Sequence, residues 1–340
     1  MKILKNYSSV ALLFMVTAHF HYYLTIHALA VSLPLKTKSS LATALPIFHH
    51  QHEGSHAIAA DLAKIPCVFS IGEGLSKKNI RSEDLSTALS IYFDSKGVDV
   101  TLMNQILSKQ FRYNESLHTE CQSKNISTFI LALVRHDVPI HYFQSGFNSA
   151  TFFLFRSDLM RFSLSLASQD LDNVTHPQFL SNYSLKSHNY NIEMLEEKSK
   201  IIIKYWTESA DFMASLSGLA GIVCDKIKAI VYEDSLHDQK AFAEIVYYTA
   251  WKSTTGSNGL LMKGQLSGEE YVRTFTKAHP SNIESFVENS EEVKKFFSES
   301  VFAKFEDVIA KSQQKMSNCK LYKLILSHKH KSRVQDEVST

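Results

Sequence analysis

The pentapeptide His52-Glu53-Gly54-Ser55-His56 constrains the fold of this chain more than any other sequence feature. Residues four apart lie on one face of an α-helix, so His52 and His56 on a helix would both reach one metal ion through their imidazole nitrogens. Glu53 would then face the open coordination position and accept a proton from a metal-bound water. The pattern predicts a helix with His52 and His56 as Zn²⁺ ligands and Glu53 as the general base.

The residues around the pentapeptide predict a helix that is followed by a short strand. The segment from Ala44 to Lys64 is rich in Ala, Leu and Ile at helical spacing, and Pro66 stops it. Residues 67–71 form a short apolar run that Gly72 closes, which is typical of a β-strand. This order of elements predicts a metal-binding helix that leads into a strand.

The segment His52–Ile71, HEGSHAIAADLAKIPCVFSI, resembles the zinc helix of the FtsH-type metallopeptidases. In that family a histidine-rich helix is followed by small and apolar residues, a proline and a short strand. Residues 220–225, AGIVCD, resemble a second element of the same family, and Asp238 follows them at the start of an apolar helix. The resemblance implies that Asp238 is the third zinc ligand.

The residues themselves leave a second assignment of the third ligand open. A zinc peptidase of the thermolysin kind takes a glutamate from a later helix, and Glu208 stands in such a position, with Asp211 nearby as support. The sequence has no GxxxxGK[ST] loop, so we expect no ATP-driven step.

Composition and pattern together predict a mainly α-helical fold with a small β element, a zincin-like peptidase domain with an irregular insertion. The 44% hydrophobic content is enough for a large core, and eleven Gly and six Pro in 340 residues argue against a turn-dense all-β fold. The predicted parts are a signal peptide or anchor (1–30), the HExxH helix and strand (31–95), the insertion (96–191), a helical part with the third ligand (192–320) and a basic tail (321–340).

The amino terminus predicts export. Lys2 and Lys5 precede the apolar run of residues 10–16, and Ala28-Leu29-Ala30 is a small-x-small cleavage pattern. We therefore expect a secreted or periplasmic protein, with a membrane anchor as the alternative if the segment is not cleaved. The four cysteines have no CxxC spacing; their pairing stays open, and a buried, unpaired Cys67 is favoured.

The resulting functional hypothesis is an exported zinc metallopeptidase that hydrolyses peptides or unfolded proteins. The alternative is a catalytically silent exported protein that uses the same scaffold to bind a partner. A net charge of +2 gives no basic surface of the size that nucleic-acid binding requires.

Overall fold

A computed structural model describes residues 41–94, 96–107, 119–121, 123, 126–143, 149–172, 186–219, 226–237, 239–255, 282–316 and 322–323. Residues 41–340 form one compact unit. The predicted signal segment, the basic tail and Asp238 lie outside the described residues.

The fold is built on one sheet of seven strands within the described residues. The strands are β1 (Leu41–Phe48), β2 (Val68–Gly72), β3 (Val98–Asp99), β4 (Phe129–Val134), β5 (Thr151–Phe155), β6 (Ile227–Val231) and β7 (Tyr322–Lys323). Their order is β2-β4-β1-β5-β6-β7 with every neighbouring pair parallel, while β3 pairs antiparallel with the start of β1.

Helices connect these strands and cover both faces of the sheet. They are α1 (Ser55–Leu62), α2 (Ser82–Tyr92), α3 (Val100–Ile106), α4 (Leu159–Asp172), α5 (Ile192–Ser217), α6 (Tyr232–His237), α7 (Gln239–Thr255), α8 (Ser290–Glu299) and α9 (Phe305–Lys315). Short 3₁₀ turns span Ile140–Phe143 and Ile283–Ser285. No helix in the described ranges is long and apolar enough to cross a membrane.

The central strand β4 shows why these sequences form strands. All six of its residues are buried, and alternate residues enter different cores. Phe129, Leu131 and Leu133 pack with α1 and α7 on one face. Ile130, Ala132 and Val134 pack with α5 and α9 on the other face. A parallel strand that is buried on both faces is therefore apolar throughout, and each large side chain stabilises the fold by about 1.5–3 kcal/mol.

The predicted mainly helical fold is wrong, because the chain forms an α/β fold with a parallel sheet. The expected helix from Ala44 to Lys64 is in fact the end of β1, a loop over residues 49–54, and α1. The stretch 96–191, interpreted as an insertion, supplies β3, β4 and β5, which all pair with β1 in the sheet. An apolar run that is buried on both faces has no period that separates a strand from a buried helix.

A disulfide joins Cys67, directly before β2, to Cys121. Both cysteines are buried and pack with Ile126. The expectation of an unpaired Cys67 is therefore wrong. The bond fixes the segment before β4 to the entry of β2.

Candidate functional site

The candidate site lies at the edge of the sheet where the parallel strands end. Each of the five longer parallel strands is followed by polar residues. They are His49 and His50 after β1, Glu73 after β2, Arg135 and His136 after β4, Arg156 and Ser157 after β5, and Glu233 two residues beyond the end of β6. Because carboxyl ends of parallel strands share one edge, the fold brings these side chains together.

The strand order predicts a crevice at this edge. From β1 the chain turns toward β2 on one side, whereas from β5 it continues to β6 on the other side. Neighbouring strands whose connections diverge leave a gap above their carboxyl ends, and ligands of open α/β sheets bind in that gap. The loop of residues 49–54 and the amino terminus of α1 border this crevice.

The loop between β1 and α1 reverses direction through two left-handed residues. His52 has φ 67° and Gly54 has φ 82°. Gly54 is the N-cap of α1, no side chain caps the helix, and its first turn contains no acidic residue. A Cβ atom at this position would overlap the ring of Tyr232, so both backbone conformation and packing require glycine. The uncapped end directs backbone N–H groups outward with the positive end of the helix dipole.

Glu73 is the centre of a charged cluster beside this helix end. Its Oε1 lies 3.4 Å from Nε2 of His56 and 3.7 Å from Nε2 of His49. Its Oε2 lies 3.6 Å from an Nη atom of Arg135. The hydrogen bond from His56 is the largest of the effects that lower the pKa of Glu73 to about 2, so this carboxylate is ionised at neutral pH.

Two further histidines are held neutral in an aromatic stack. The ring of His50 lies between His136, with centroids 4.3 Å apart, and Tyr205, at 4.4 Å. Burial lowers the pKa of His50 to about 4 and that of His136 to about 2. These neutral imidazoles therefore line the site without adding positive charge.

Beneath the loop lies a second polar group. Glu53 is fully buried, and burial raises its pKa to about 8. Its Oε2 accepts a hydrogen bond from the backbone N–H of His50 at 2.7 Å, which closes the loop. Arg156 donates to the carbonyl of His52 at 3.5 Å and lies 3.9 Å from Glu233, while its guanidinium packs over the ring of Tyr232. Arg156 thus stabilises the loop from below.

The predicted zinc-binding helix through His52 and His56 is not formed. His52 and Glu53 precede α1 and only His56 belongs to it, so the two histidines do not share a helix face. Nδ1 of His52 instead lies 2.7 Å from the side-chain nitrogen of Gln169. Glu208 is half exposed on α5, and Oε2 of Glu208 lies 3.9 Å from Nε2 of His50. Among the described residues no group of three His, Cys, Asp or Glu side chains is arranged to bind a metal.

The zinc-peptidase hypothesis and its resemblance are therefore wrong. The alternative hypothesis, a catalytically silent protein on the same scaffold, is wrong for the same reason, because the chain does not form that scaffold. The pentapeptide instead spans the last three residues of the β1–α1 loop and the first two residues of α1.

Comparisons with known proteins identify no family. No family model matches the chain, and no curated protein matches it significantly. Among solved structures, a sulfotransferase domain from the olefin synthase of Synechococcus PCC 7002 aligns with 84% of this chain and 100% of its own, at 12% identity and a TM-score of 0.34. This likeness is too low to support a function, so the function rests on the site itself.

Sequence reasoning missed Glu73, Arg135 and Arg156. Each directly follows a short apolar run, SIG before Glu73, LALV before Arg135 and FFLF before Arg156. Polar residues that follow several such runs are the signal that would have indicated the carboxyl edge of a parallel sheet.

Proposed function

We propose that this protein is an enzyme that binds a phosphate-bearing small molecule at the carboxyl edge of its sheet. The observation that carries the proposal is the uncapped amino terminus of α1, which follows the left-handed Gly54 and borders the crevice beside β1. Backbone N–H groups and the helix dipole favour a negative group at such a position.

Arg135 and Ser55 suit an anion at this helix end, and Arg135 also offsets the charge of the ionised Glu73 beside it. Arg135 is about one-third exposed, and its single contact with Glu73 leaves other donors of the guanidinium fork for a phosphate. Ser55, the first residue of α1, supplies a hydroxyl beside the helix N–H groups. Glu53 would repel an anion if it were ionised, but with a pKa of about 8 it is neutral at pH 7.

A buried atom without a partner supports the same location. Nε2 of His49 is buried, has no hydrogen bond, and lies 3.7 Å from Glu73 in the cluster beside α1. Buried polar atoms nearly always have a partner. Because Nδ1 of His49 donates to the carbonyl of His50 and the ring is neutral, Nε2 carries no hydrogen, and its partner must be a donor such as an ordered water or a ligand hydroxyl.

Binding of pyrophosphate, measured by calorimetry at low ionic strength, tests this proposal. Wild-type protein should bind it, and Arg135→Gln should weaken binding by roughly tenfold, because one charge-assisted contact contributes about 1.5 kcal/mol. Gly54→Ala should weaken it further, since the loop cannot keep its left-handed turn.

Gly218→Ala is the matched control, because Gly218 ends α5 and a Cβ there meets only ordinary contacts. This control should bind like the wild type. Circular dichroism would verify that each variant is folded. Absence of pyrophosphate binding by the wild type, or equal binding by a folded Arg135→Gln variant, would contradict the proposal.

We also propose that the protein works in an oxidising compartment, in line with the predicted export signal. The buried Cys67–Cys121 disulfide supports this location, since such bonds persist in secreted and periplasmic proteins and are rare in the cytosol.

A further inference from the structure

We propose that Glu53 is a pH-dependent latch on the loop of residues 49–54: the protonated carboxyl keeps this loop closed, and ionisation of the carboxyl in alkaline solution opens it. The loop joins β1 to α1 and carries His49 and His50, which belong to the candidate site. The inference concerns the protein alone, so it stands or fails independently of any ligand that the site binds.

The side chain of Glu53 lies in the protein interior although the residue belongs to a loop. It is 0% exposed. Its Oε2 accepts the 2.7 Å hydrogen bond from the backbone N–H of His50, which ties the end of the loop to its start. Its Oε1 is buried and has no hydrogen-bond partner among the described residues. A neutral carboxyl fits this position better than a carboxylate, because a buried charge that lacks partners costs more than a buried neutral group.

The charged groups that face Glu53 do not offset the burial of its charge. Arg156, directly after β5, attracts an ionised Glu53, whereas Glu233 on α6 repels it. Arg156 is itself 3.9 Å from Glu233, whose Oε2 accepts hydrogen bonds from the N–H and the hydroxyl of Ser157. Tyr205 on α5 also faces Glu53, and burial raises the pKa of this tyrosine, so it is neutral. Burial is the largest effect on Glu53 and raises its pKa to about 8.

The closed loop contains a strained turn that its contacts must hold in place. His52 adopts φ 67°, a left-handed conformation that a residue with a Cβ atom keeps only where its surroundings enforce it. The carbonyl of His52 accepts a long hydrogen bond from Arg156, at 3.5 Å, and Nδ1 of His52 lies 2.7 Å from Gln169. An ionised Glu53 moves toward water, which breaks the hydrogen bond to His50 and releases the turn.

Proton binding couples this latch to pH. In the open loop Glu53 ionises near its ordinary pKa of 4.5, whereas in the closed loop it keeps its proton up to about pH 8. The closed loop therefore holds a proton that the open loop releases, so the opening equilibrium rises with pH between these two values. Opening removes His50 from its stack between His136 and Tyr205. The candidate site is thus assembled at neutral pH and dismantled in alkaline solution.

The histidines of the same loop respond to pH in the opposite direction. Burial lowers the pKa of His49 and of His50 to about 4, from an ordinary value of 6.5. The open loop therefore gains protons below pH 6.5, and acid also favours opening. A variant that changes only Glu53 keeps this contribution of the histidines. Comparison of that variant with the wild type at each pH isolates the latch.

Hydrogen exchange of the His50 amide tests the latch, because this N–H donates to Glu53 in the closed loop. Its protection, relative to an unstructured chain at the same pH, is measured by NMR in the wild type and in Glu53→Gln, which keeps an acceptor oxygen and cannot ionise. Relative to this variant, opening of the wild-type loop should increase roughly twentyfold between pH 6.5 and pH 8.5, the factor that pKa values of 4.5 and about 8 give. Glu83→Gln, at an exposed position on α2, is the control and should respond like the wild type.

A second amide separates opening of the loop from unfolding of the whole protein. The N–H of Phe129, at the start of the central strand β4, donates to the carbonyl of Cys67 at 2.9 Å. At pH 8.5 the wild-type His50 amide should be much less protected than that of Phe129. Equal protection of the two amides would show that only global unfolding responds to Glu53, and this result would overturn the latch.

The pH response itself gives the other decisive outcome. Wild-type protection at His50 that changes with pH as it does in Glu53→Gln would also overturn the latch. Glu53→Met keeps the test decisive if the Gln variant does not fold, because Met cannot ionise and offers no acceptor oxygen to His50. This variant should be less protected than the wild type at pH 6.5 and should lack the increase in opening toward pH 8.5.

Discussion

At the residue scale, one buried carboxyl should govern how stability depends on pH. The pKa of Glu53 is raised from 4.5 to about 8 by burial, so the folded protein holds a proton that the unfolded chain releases above about pH 4.5. The contribution of Glu53 to stability is therefore fully present below pH 4.5 and is lost as the pH rises toward 8. Because Gln never ionises, Glu53→Gln should be more stable than the wild type at pH 8, by on the order of 1–3 kcal/mol.

Urea unfolding at pH 5 and pH 8 measures this difference. The amide oxygen of Gln can still accept the hydrogen bond from His50 that Glu53 accepts now, so the loop should be retained. Glu83→Gln, at an exposed position on α2, is the control and should show no such gain. A Glu53→Gln variant whose advantage is the same at both pH values would contradict the linkage.

The sequence identified the right segment and the wrong chemistry for these residues. His52, Glu53 and His56 do border the candidate site, but the zinc interpretation required a helix through all three. The predicted helix included Gly54. In the structure Gly54 adopts φ 82° and is the N-cap, so α1 begins at the next residue, Ser55. The sequence alone predicts no role for Arg135 and His136, because nothing local shows that residues 129–134 are a strand in the centre of a sheet.

At the element scale, the strands could not be separated from buried helices by pattern. Helix α5 shows a clear amphipathic period and was predicted as helix from Ile192 onward. Strand β1, LATALPIF, contains alanines and leucines that also suit a helix. Its pairing with β4 joins residues 86 positions apart, and its pairing with β5 joins residues 105 positions apart. A short sequence segment contains no signal of pairing with residues so far away in the chain.

The central strands should carry much of the stability. Leu131 of β4 is fully buried between the sheet and the helices α1 and α7, so Leu131→Ala should leave a cavity and destabilise the protein by about 2–5 kcal/mol. Leu171 of α4 is 42% exposed, and Leu171→Ala should change stability by no more than about 0.5 kcal/mol. The two midpoints of urea unfolding give the comparison. Equal effects of the two substitutions would refute the central position of β4.

At the scale of the whole molecule, the disulfide connects stability with location. Cys67 and Cys121 close a loop of 54 positions that contains β2, α2, β3, α3 and Glu73 of the candidate site. A bond across a loop of this length stabilises the folded state by about 2–4 kcal/mol, mainly because it restricts the unfolded chain. Reduction should therefore lower the melting temperature of the wild type.

A variant with both Cys67→Ser and Cys121→Ser isolates this contribution. Its melting temperature should lie below that of the oxidised wild type and should not change on addition of a thiol reductant. If the wild type melts at the same temperature before and after reduction of the disulfide, the stability of the fold does not depend on this bond. The proposal of an oxidising compartment would then lose its structural support.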